Sequence, residues 1–252
     1  MSSFVPKTLV LWDVDFTLVN TRGVGFQLYQ LAFAELYGRD LHADAANANM
    51  AGRTDRAIAL EVLAMSGIPD PPGQVARFEA ALSRLAPGLA EMVVARGIAL
   101  PGAAAAIAAL AASGPVRQSV LTGNVKAMAE VKLQPFGLTA HLDLDIGAYG
   151  NESGVRSDLV ALARDRAFAA YGHDYDGQAT VLVGDTPLDV EAALTTGARA
   201  VGVATGRSSE AELADAGAHA VLPDLADTGS VIAAILSRAS NASCVVGPAE
   251  PG

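Results

Sequence analysis

Cysteine is almost missing from this chain: Cys244 is the only one in 252 residues. Neither an internal disulfide nor a thiolate metal cluster is available, which fits a reducing, cytoplasmic compartment. Aromatic residues supply only 5% of the sequence while 51% is apolar, much of it alanine, so the core is expected to use small and aliphatic side chains. Charge is scarce as well. A charged fraction of 17% describes a compact globular chain rather than a disordered one. The formal net charge of −10 argues against nucleic acid and anionic membrane surfaces as partners. An anionic substrate stays open, because a bound divalent cation dominates the field inside a cleft. Long hydrophobic runs are lacking too. The apolar run Leu9 to Trp12 is cut short by Asp13, which argues against a signal peptide. The stretch Ile98 to Ala112 is broken by Pro101-Gly102 and reads as a packed, alanine-rich helix rather than a membrane span. Asn241-Ala242-Ser243 matches a glycosylation sequon without any other sign of secretion.

What is present alternates. Candidate strands are Thr8–Trp12, Arg117–Leu121, Leu142–Ile146, Thr180–Val183, Ala200–Ala204 and Ala218–Leu222, most of them nearly continuous apolar runs. Helical patterns fill the gaps at Ala103–Ser113, Val125–Pro135, Ser157–Tyr171, Leu188–Thr196 and Ser209–Ala216. That order predicts an α/β fold with a doubly wound parallel sheet. Between about Thr21 and Ala99 no strand is evident. Helical periodicity over Val24–Tyr37, Asp55–Ser66 and Gly73–Ala95 predicts a small all-helical insertion, with hinges near Asn20–Gly25 and Gly97–Gly102. The expected organisation is a core of 1–20 and 100–239, a helical cap of 21–99 and a loose tail of 240–252.

Three strand ends carry the chemistry. The first runs into Asp13-Val14-Asp15-Phe16-Thr17-Leu18. Residues two apart in an extended chain point the same way, so both carboxylates face one spot beyond the strand's carboxyl edge, where open α/β sheets place ligands. They are either two solvated acids or a pair that holds a proton or a cation. The strand Arg117–Leu121 leads into Thr122-Gly123-Asn124, which is either a helix cap or a phosphate seat of hydroxyl, glycine and free N–H groups. The fourth strand ends in Gly184-Asp185-Thr186-Pro187-Leu188-Asp189. Capping accounts for Thr186, Pro187 and Asp189 but not for Asp185. Carboxylates meeting at one sheet edge call for a metal, and oxygen-only ligation favours Mg²⁺.

Asp13-x-Asp15-x-Thr17, then Thr122 after a strand, then Gly184-Asp185-x-x-x-Asp189, resembles the haloacid dehalogenase superfamily, in particular its phosphatases related to phosphoglycolate phosphatase. The resemblance extends to about Leu225 and includes a helical cap after the first motif. It implies a Rossmann-like core and a Mg²⁺-dependent phosphatase acting on a small phosphate monoester. Asp13 is then the nucleophile and a metal ligand, and the Asp15 backbone carbonyl also meets the metal. The Asp15 side chain is the general acid and base. Thr122, Gly123 and Asn124 hold the phosphoryl group, Asp185 binds the metal, and Asp189 and Thr17 support the site.

Two departures stand out. Phe16 occupies a position the superfamily usually gives to glycine, either as an apolar wall or as packing against the cap. The lysine expected after the third strand is missing, and Arg156 offers the replacement charge, with Lys126 and Lys132 less well placed. In the insertion, Gly52-Arg53-Thr54-Asp55 reads as a helix cap by Thr54 or Asp55, or as a turn from which Arg53 reaches the substrate. His42, His141, His173 and His219 show no metal-ligand spacing. Asp15 favours phosphoryl transfer over dehalogenation. Among the three lysines, Lys7, Lys126 and Lys132, none falls in the cap to form a Schiff base. A sugar-phosphate mutase of the same superfamily and a non-catalytic phosphate-binding module remain as alternatives.

Overall fold

The computed structural model describes residues 8–41 and 50–237. Its strands are β1 (Thr8–Trp12), β2 (Val19–Asn20), β3 (Ile98–Ala99), β4 (Val116–Thr122), β5 (Ala148–Tyr149), β6 (Thr180–Gly184), β7 (Arg199–Val203) and β8 (Ala220–Leu222). Helices α1 (Val24–Tyr37), α2 (Asp55–Met65), α3 (Pro71–Leu85) and α4 (Ala90–Arg96) lie between β2 and β3. The remaining helices are α5 (Ala103–Ala112), α6 (Lys126–Leu133), α7 (Arg156–Tyr171), α8 (Pro187–Thr195), α9 (Glu210–Asp215) and α10 (Thr228–Leu236). None of these is long and apolar enough to cross a membrane.

Six strands form one parallel sheet in the order β5-β4-β1-β6-β7-β8. β1 is central and fully buried, as its uninterrupted Thr-Leu-Val-Leu-Trp run requires. Alternate residues serve opposite faces. Val10 and Trp12 join the layer with α5 and α10, while Leu9 and Leu11 join the layer with α7 and α8. The chain builds outward from β1 to β4 and β5, then returns to β6 on the other side. That reversal creates the switch point at the carboxyl ends of β1, β4 and β6.

Helices α1–α4 share an apolar cluster around Phe33, Phe78 and Leu82. The same cluster takes in Val125, Met128 and Val131 at and along α6, whose other face sends Ala129 and Leu133 into the sheet layer. α6 therefore joins the helical segment to the sheet. Both chain connections to that segment run through the antiparallel β2–β3 pair, Val19 opposite Ala99 and Asn20 opposite Ile98.

Several expectations need correction. The run Leu142–Ile146 is not a strand. The Asp143 side chain accepts the Asp145 N–H at 3.0 Å, a local turn that competes with the ladder, and pairing resumes only at Ala148–Tyr149. The long helix expected over Gly73–Ala95 splits at Pro87 into α3, a short turn at Ala86–Leu89 and α4. Helix α10, capped by Asp227, was not anticipated. The tail 240–252, with Cys244 and Asn241, lies outside the described residues, as do Lys7 and His42.

Candidate active site

β1 delivers Asp13 to the switch point, and its N–H still follows the sheet pattern by donating to Val183 O at 2.8 Å. Beyond it the chain folds back tightly: Leu18 and Val19 donate to Val14 O, and Phe16 donates to Val19 O at 2.8 Å. This turn puts Phe16 at φ 58°, a left-handed backbone that glycine adopts without cost and a bulky residue does not. Phe16 is 38% exposed and lines the cleft rather than disappearing into the helical segment. Thr17 is fully buried, and its hydroxyl has no hydrogen-bond partner.

Three acids converge. Oxygens of Asp13, Asp185 and Asp189 all lie within 4.8 Å of one another, and all three residues are buried. Asp189 is shared between roles. One oxygen closes the capping box of α8 by accepting from the Thr186 N–H at 3.1 Å and the Thr186 hydroxyl at 2.7 Å. The other lies 2.6 Å from Arg156 Nη2, an ion pair rather than a directed hydrogen bond. Arg156 opens α7, and the same Nη2 donates to Asp13 Oδ1 at 2.7 Å. Burial opposes the guanidinium charge, but Asp189 and Asp13 outweigh it and push the Arg156 pKa above its ordinary value. Burial, followed by the neighbouring carboxylates, raises Asp13 despite the attraction of Arg156. Asp185 is raised by burial and then by Asp13 and Asp189. Among the described residues no hydrogen bond or ion pair meets its side chain.

These residues suit the expected Mg²⁺. A buried carboxylate with no protein donor, beside two others in an all-oxygen cluster, is the arrangement a hard divalent cation relieves. The Asp15 side chain is not part of that cluster. It turns to Lys132 and Asn124 instead. Lys132 Nζ lies 2.7 and 2.6 Å from the two Asp15 oxygens and 2.7 Å from Asn124 Oδ1, while Asn124 Nδ2 donates to Asp15 Oδ2 at 2.7 Å. While Arg156 supplies the charge beside Asp13, Lys132 meets the other carboxylate of the pair, Asp15. It sits on the last turn of α6, 117 positions from Asp15 in sequence, a separation at which no local pattern applies. Lys126, on the first turn of α6, pairs with exposed Asp145 at 2.7 Å.

Thr122 ends β4 fully buried, its Oγ1 accepting from Asn124 Nδ2 at 2.8 Å and leaving the hydroxyl proton to donate elsewhere. Gly123 and Gly150 are dictated by close approach. A Cβ on Gly123 would stand 2.0 Å from Arg53 O, and one on Gly150 would stand 1.6 Å from Gly123 O. Backbone thus lies on backbone: Asp55 N–H donates to Gly123 O at 2.7 Å and Arg56 N–H to Gly150 O at 3.0 Å. Thr54 caps α2. Arg53 lines the cleft, but its guanidinium engages Glu61.

Asp55 does more than capping suggested. Its carboxylate accepts from the Val125 N–H, at the start of α6, at 2.7 Å and from the Tyr29 hydroxyl of α1 at 2.6 Å, tying three elements together. Burial raises its pKa to about 6 in spite of those two hydrogen bonds. The cleft enclosed between the sheet edge and α1–α2 measures about 380 Å³ and is lined by both polar and apolar groups. His141, His173 and His219 stand outside it. His219 instead accepts the Ala200 N–H at 3.1 Å.

A comparison with family models matches residues 10–194 to the haloacid dehalogenase-like hydrolases. No curated protein sequence matches the chain. Among solved structures, a hydrolase from Pseudomonas syringae superposes with a TM-score of 0.65 at 21% identity, covering 92% of this chain and 100% of that one. A predicted phosphatase from Clostridium acetobutylicum gives 0.65 at 16% identity, with 90% and 99% covered. A candidate β-phosphoglucomutase from Thermotoga maritima gives 0.54 at 20% identity, with 91% and 100% covered. At these identities the structures establish a shared fold, and the family match over 10–194 takes in all three strand ends of the site, two of them acidic: this chain belongs to the haloacid dehalogenase-like hydrolases.

Proposed function

We propose that the protein is a Mg²⁺-dependent phosphatase that hydrolyses a small phosphate monoester through a phosphoryl group carried on Asp13. The observation that carries this reading is the junction at the end of β1. There Asp13 is held by Arg156 beside the buried Asp185 and Asp189, with a second carboxylate, Asp15, outside the metal cluster. A dehalogenase has no use for that second acid, whereas ester cleavage needs a proton at the leaving oxygen.

Arg156 fixes the Asp13 carboxylate by binding one oxygen. An Asp13 oxygen attacks phosphorus as the bond to the ester oxygen breaks, and Asp15, protonated, gives its proton to that departing oxygen. Asp15 then removes a proton from water, which attacks the phosphoryl group on Asp13 and frees the carboxylate and inorganic phosphate. The Thr122 hydroxyl and the N–H groups around Gly123 and Asn124 are the proposed seat for the phosphoryl oxygens. Asp13, Asp185 and the Asp15 carbonyl would hold Mg²⁺, with Asp189 in support. The metal would offset the clustered negative charge and that of the transferring group.

In this reading residues 21–99 act as a cap over the core, and the close backbone packing of Arg53–Asp55 on Gly123 favours small soluble esters over polymers. It is the reading of a cytoplasmic enzyme, in keeping with a chain whose single cysteine offers no internal disulfide. The test is phosphate release from a panel of monoesters, with Mg²⁺ and with EDTA, by wild type and Asp13→Asn. Turnover should need the metal and vanish in the variant. Activity of Asp13→Asn within about tenfold of wild type, about 1.4 kcal/mol in barrier, or full activity in chelator, sinks the covalent metal-assisted mechanism. Transfer of the phosphoryl group to a second hydroxyl of the sugar rather than to water would identify a mutase instead.

A further inference from the structure

Lys132 is the residue the proposed reaction leaves unused. Its side chain is 3% exposed, and lysine is almost never buried to that degree unless its charge is met. Among the described residues the charge is met at one place. Its three contacts within hydrogen-bond distance are both Asp15 oxygens and Asn124 Oδ1, at 2.6 to 2.7 Å. An ammonium has three N–H donors, so this set exhausts it and leaves none for a substrate oxygen. Asn124 closes the ring by donating from Nδ2 both to Asp15 and to Thr122 Oγ1. The Asp15 carboxylate is thereby gripped from two sides and tied to the phosphate seat.

The helical segment passes beside the grip: a Cβ at position 25, on the first turn of α1, would stand 3.4 Å from Lys132 Nζ, an ordinary contact distance. Arg156 meanwhile lies on Asp13 and Asp189, so the two buried cations of the cleft address different carboxylates.

We propose that Lys132 is a positioning residue for the general acid and base: it holds the Asp15 carboxylate at the leaving-group side while Arg156 serves the nucleophile. This rests on the phosphatase reading above. A residue that acts through Asp15 matters in proportion to how much the leaving oxygen needs a proton, and a residue with a merely structural role does not.

The experiment compares wild type, Lys132→Met, Lys132→Arg, Asp15→Asn and the Asp15→Asn/Lys132→Met double variant on an alkyl phosphate and on p-nitrophenyl phosphate, with Mg²⁺. Lys132→Met should lower kcat on the alkyl ester by roughly 10- to 100-fold, a part of what general acid catalysis supplies, with KM within about threefold. On the aryl ester, whose leaving group needs little protonation, the loss should stay within about fivefold. That retained activity also reports that the variant is folded. Lys132→Arg should recover part of the alkyl activity, and in the Asp15→Asn background removing Lys132 should cost nothing further. An equal loss on both esters, a silent Lys132→Met, or an added loss in the double variant overturns the proposal while leaving the phosphatase reading intact. Wild type that hydrolyses neither these esters nor any other of the panel removes the reading itself, and the proposal with it.

Discussion

Replacing Arg156 by Met removes the guanidinium that meets Asp13 and Asp189 at 2.7 and 2.6 Å, all three side chains less than 10% exposed. The loss is not that of a surface pair. Breaking a buried ion pair by deleting one partner costs about 3–5 kcal/mol, because the remaining charge is buried without compensation. Here two carboxylates are left, with Asp185 adjacent to both. Burial already pushes Asp13 and Asp185 up, so uptake of a proton relieves part of the strain, and the cost should be largest in alkaline buffer. In chelator, Arg156→Met should therefore melt about 6–20 °C below wild type, taking roughly 2–4 °C per kcal/mol for a chain of this size. A ligand at one hundred times its Kd stabilises either protein by about 2.7 kcal/mol, so the gap narrows by the difference in affinity, and Mg²⁺ should stabilise the variant, with its uncompensated carboxylates, more than wild type. Turnover should stay roughly 10²-fold or more below wild type even in Mg²⁺, since the fixed cation beside the nucleophile is gone. Arg156→Lys should restore part of both losses, because one point charge replaces a fork that reaches two carboxylates. Thermal and urea melts in EDTA and in Mg²⁺ read all of this. A deficit below about 1 kcal/mol in chelator, or equal Mg²⁺ stabilisation of both proteins, would refute the assignment of Arg156 as the charge that holds these acids together.

Two further outcomes follow from the contacts between α2 and the core. Asp55 has a folded pKa raised to about 6 against 3.8 for the free group, so the native state keeps its proton to higher pH than the unfolded chain does. Its contribution to stability therefore declines as pH rises from about 4 to about 6 and is flat above; the difference between wild-type and Asp55→Asn melts should show that slope, roughly 3 kcal/mol in total, and its absence would show that Asp55 is solvated. Gly123→Ala places a methyl group 2.0 Å from Arg53 O, so the Asp55–Gly123 and Arg56–Gly150 hydrogen bonds should open, visible as faster amide exchange at residues 55 and 56 and as a lower kcat; unchanged exchange would mean the approach is looser than described.

The sheet was readable from sequence because burial on both faces leaves an unmistakable record. Strands β1 and β6 are nearly continuous apolar runs that end where an aspartate reaches the carboxyl edge, while β4 and β7 carry polar residues or glycine among their apolar ones and still bury nearly every position. The same property made Asp13, Thr122 and Asp185 legible, since a residue that ends a strand has its place in the site fixed by the sheet. What failed to show was set by contacts rather than pattern. A two-residue strand such as β2, β3 or β5 is too short for periodicity to register, and the alternating Leu142-Asp143-Leu144-Asp145-Ile146 looked like the strand that Asp143's local turn displaces.

The site's cations divide along the same line. Arg156 could be expected because it opens a helix directly after the loop of β5, so its place follows from the order of elements. Lys132 could not, because its role depends on how α6 lies against β1. That orientation is fixed by two layers at once, Val125, Met128 and Val131 packing toward α1–α4 and Ala129 and Leu133 toward the sheet. A helix held on two faces has no freedom to rotate about its axis, so the direction in which position 132 points is a consequence of both clusters together. Asp55 reinforces this by taking the N–H at the start of the same helix. The helical segment therefore covers the cleft and also sets the angle of the helix that carries Lys132. A change in that packing should be felt first at Asp15, with Asp13, anchored by β1 and Arg156, the less affected.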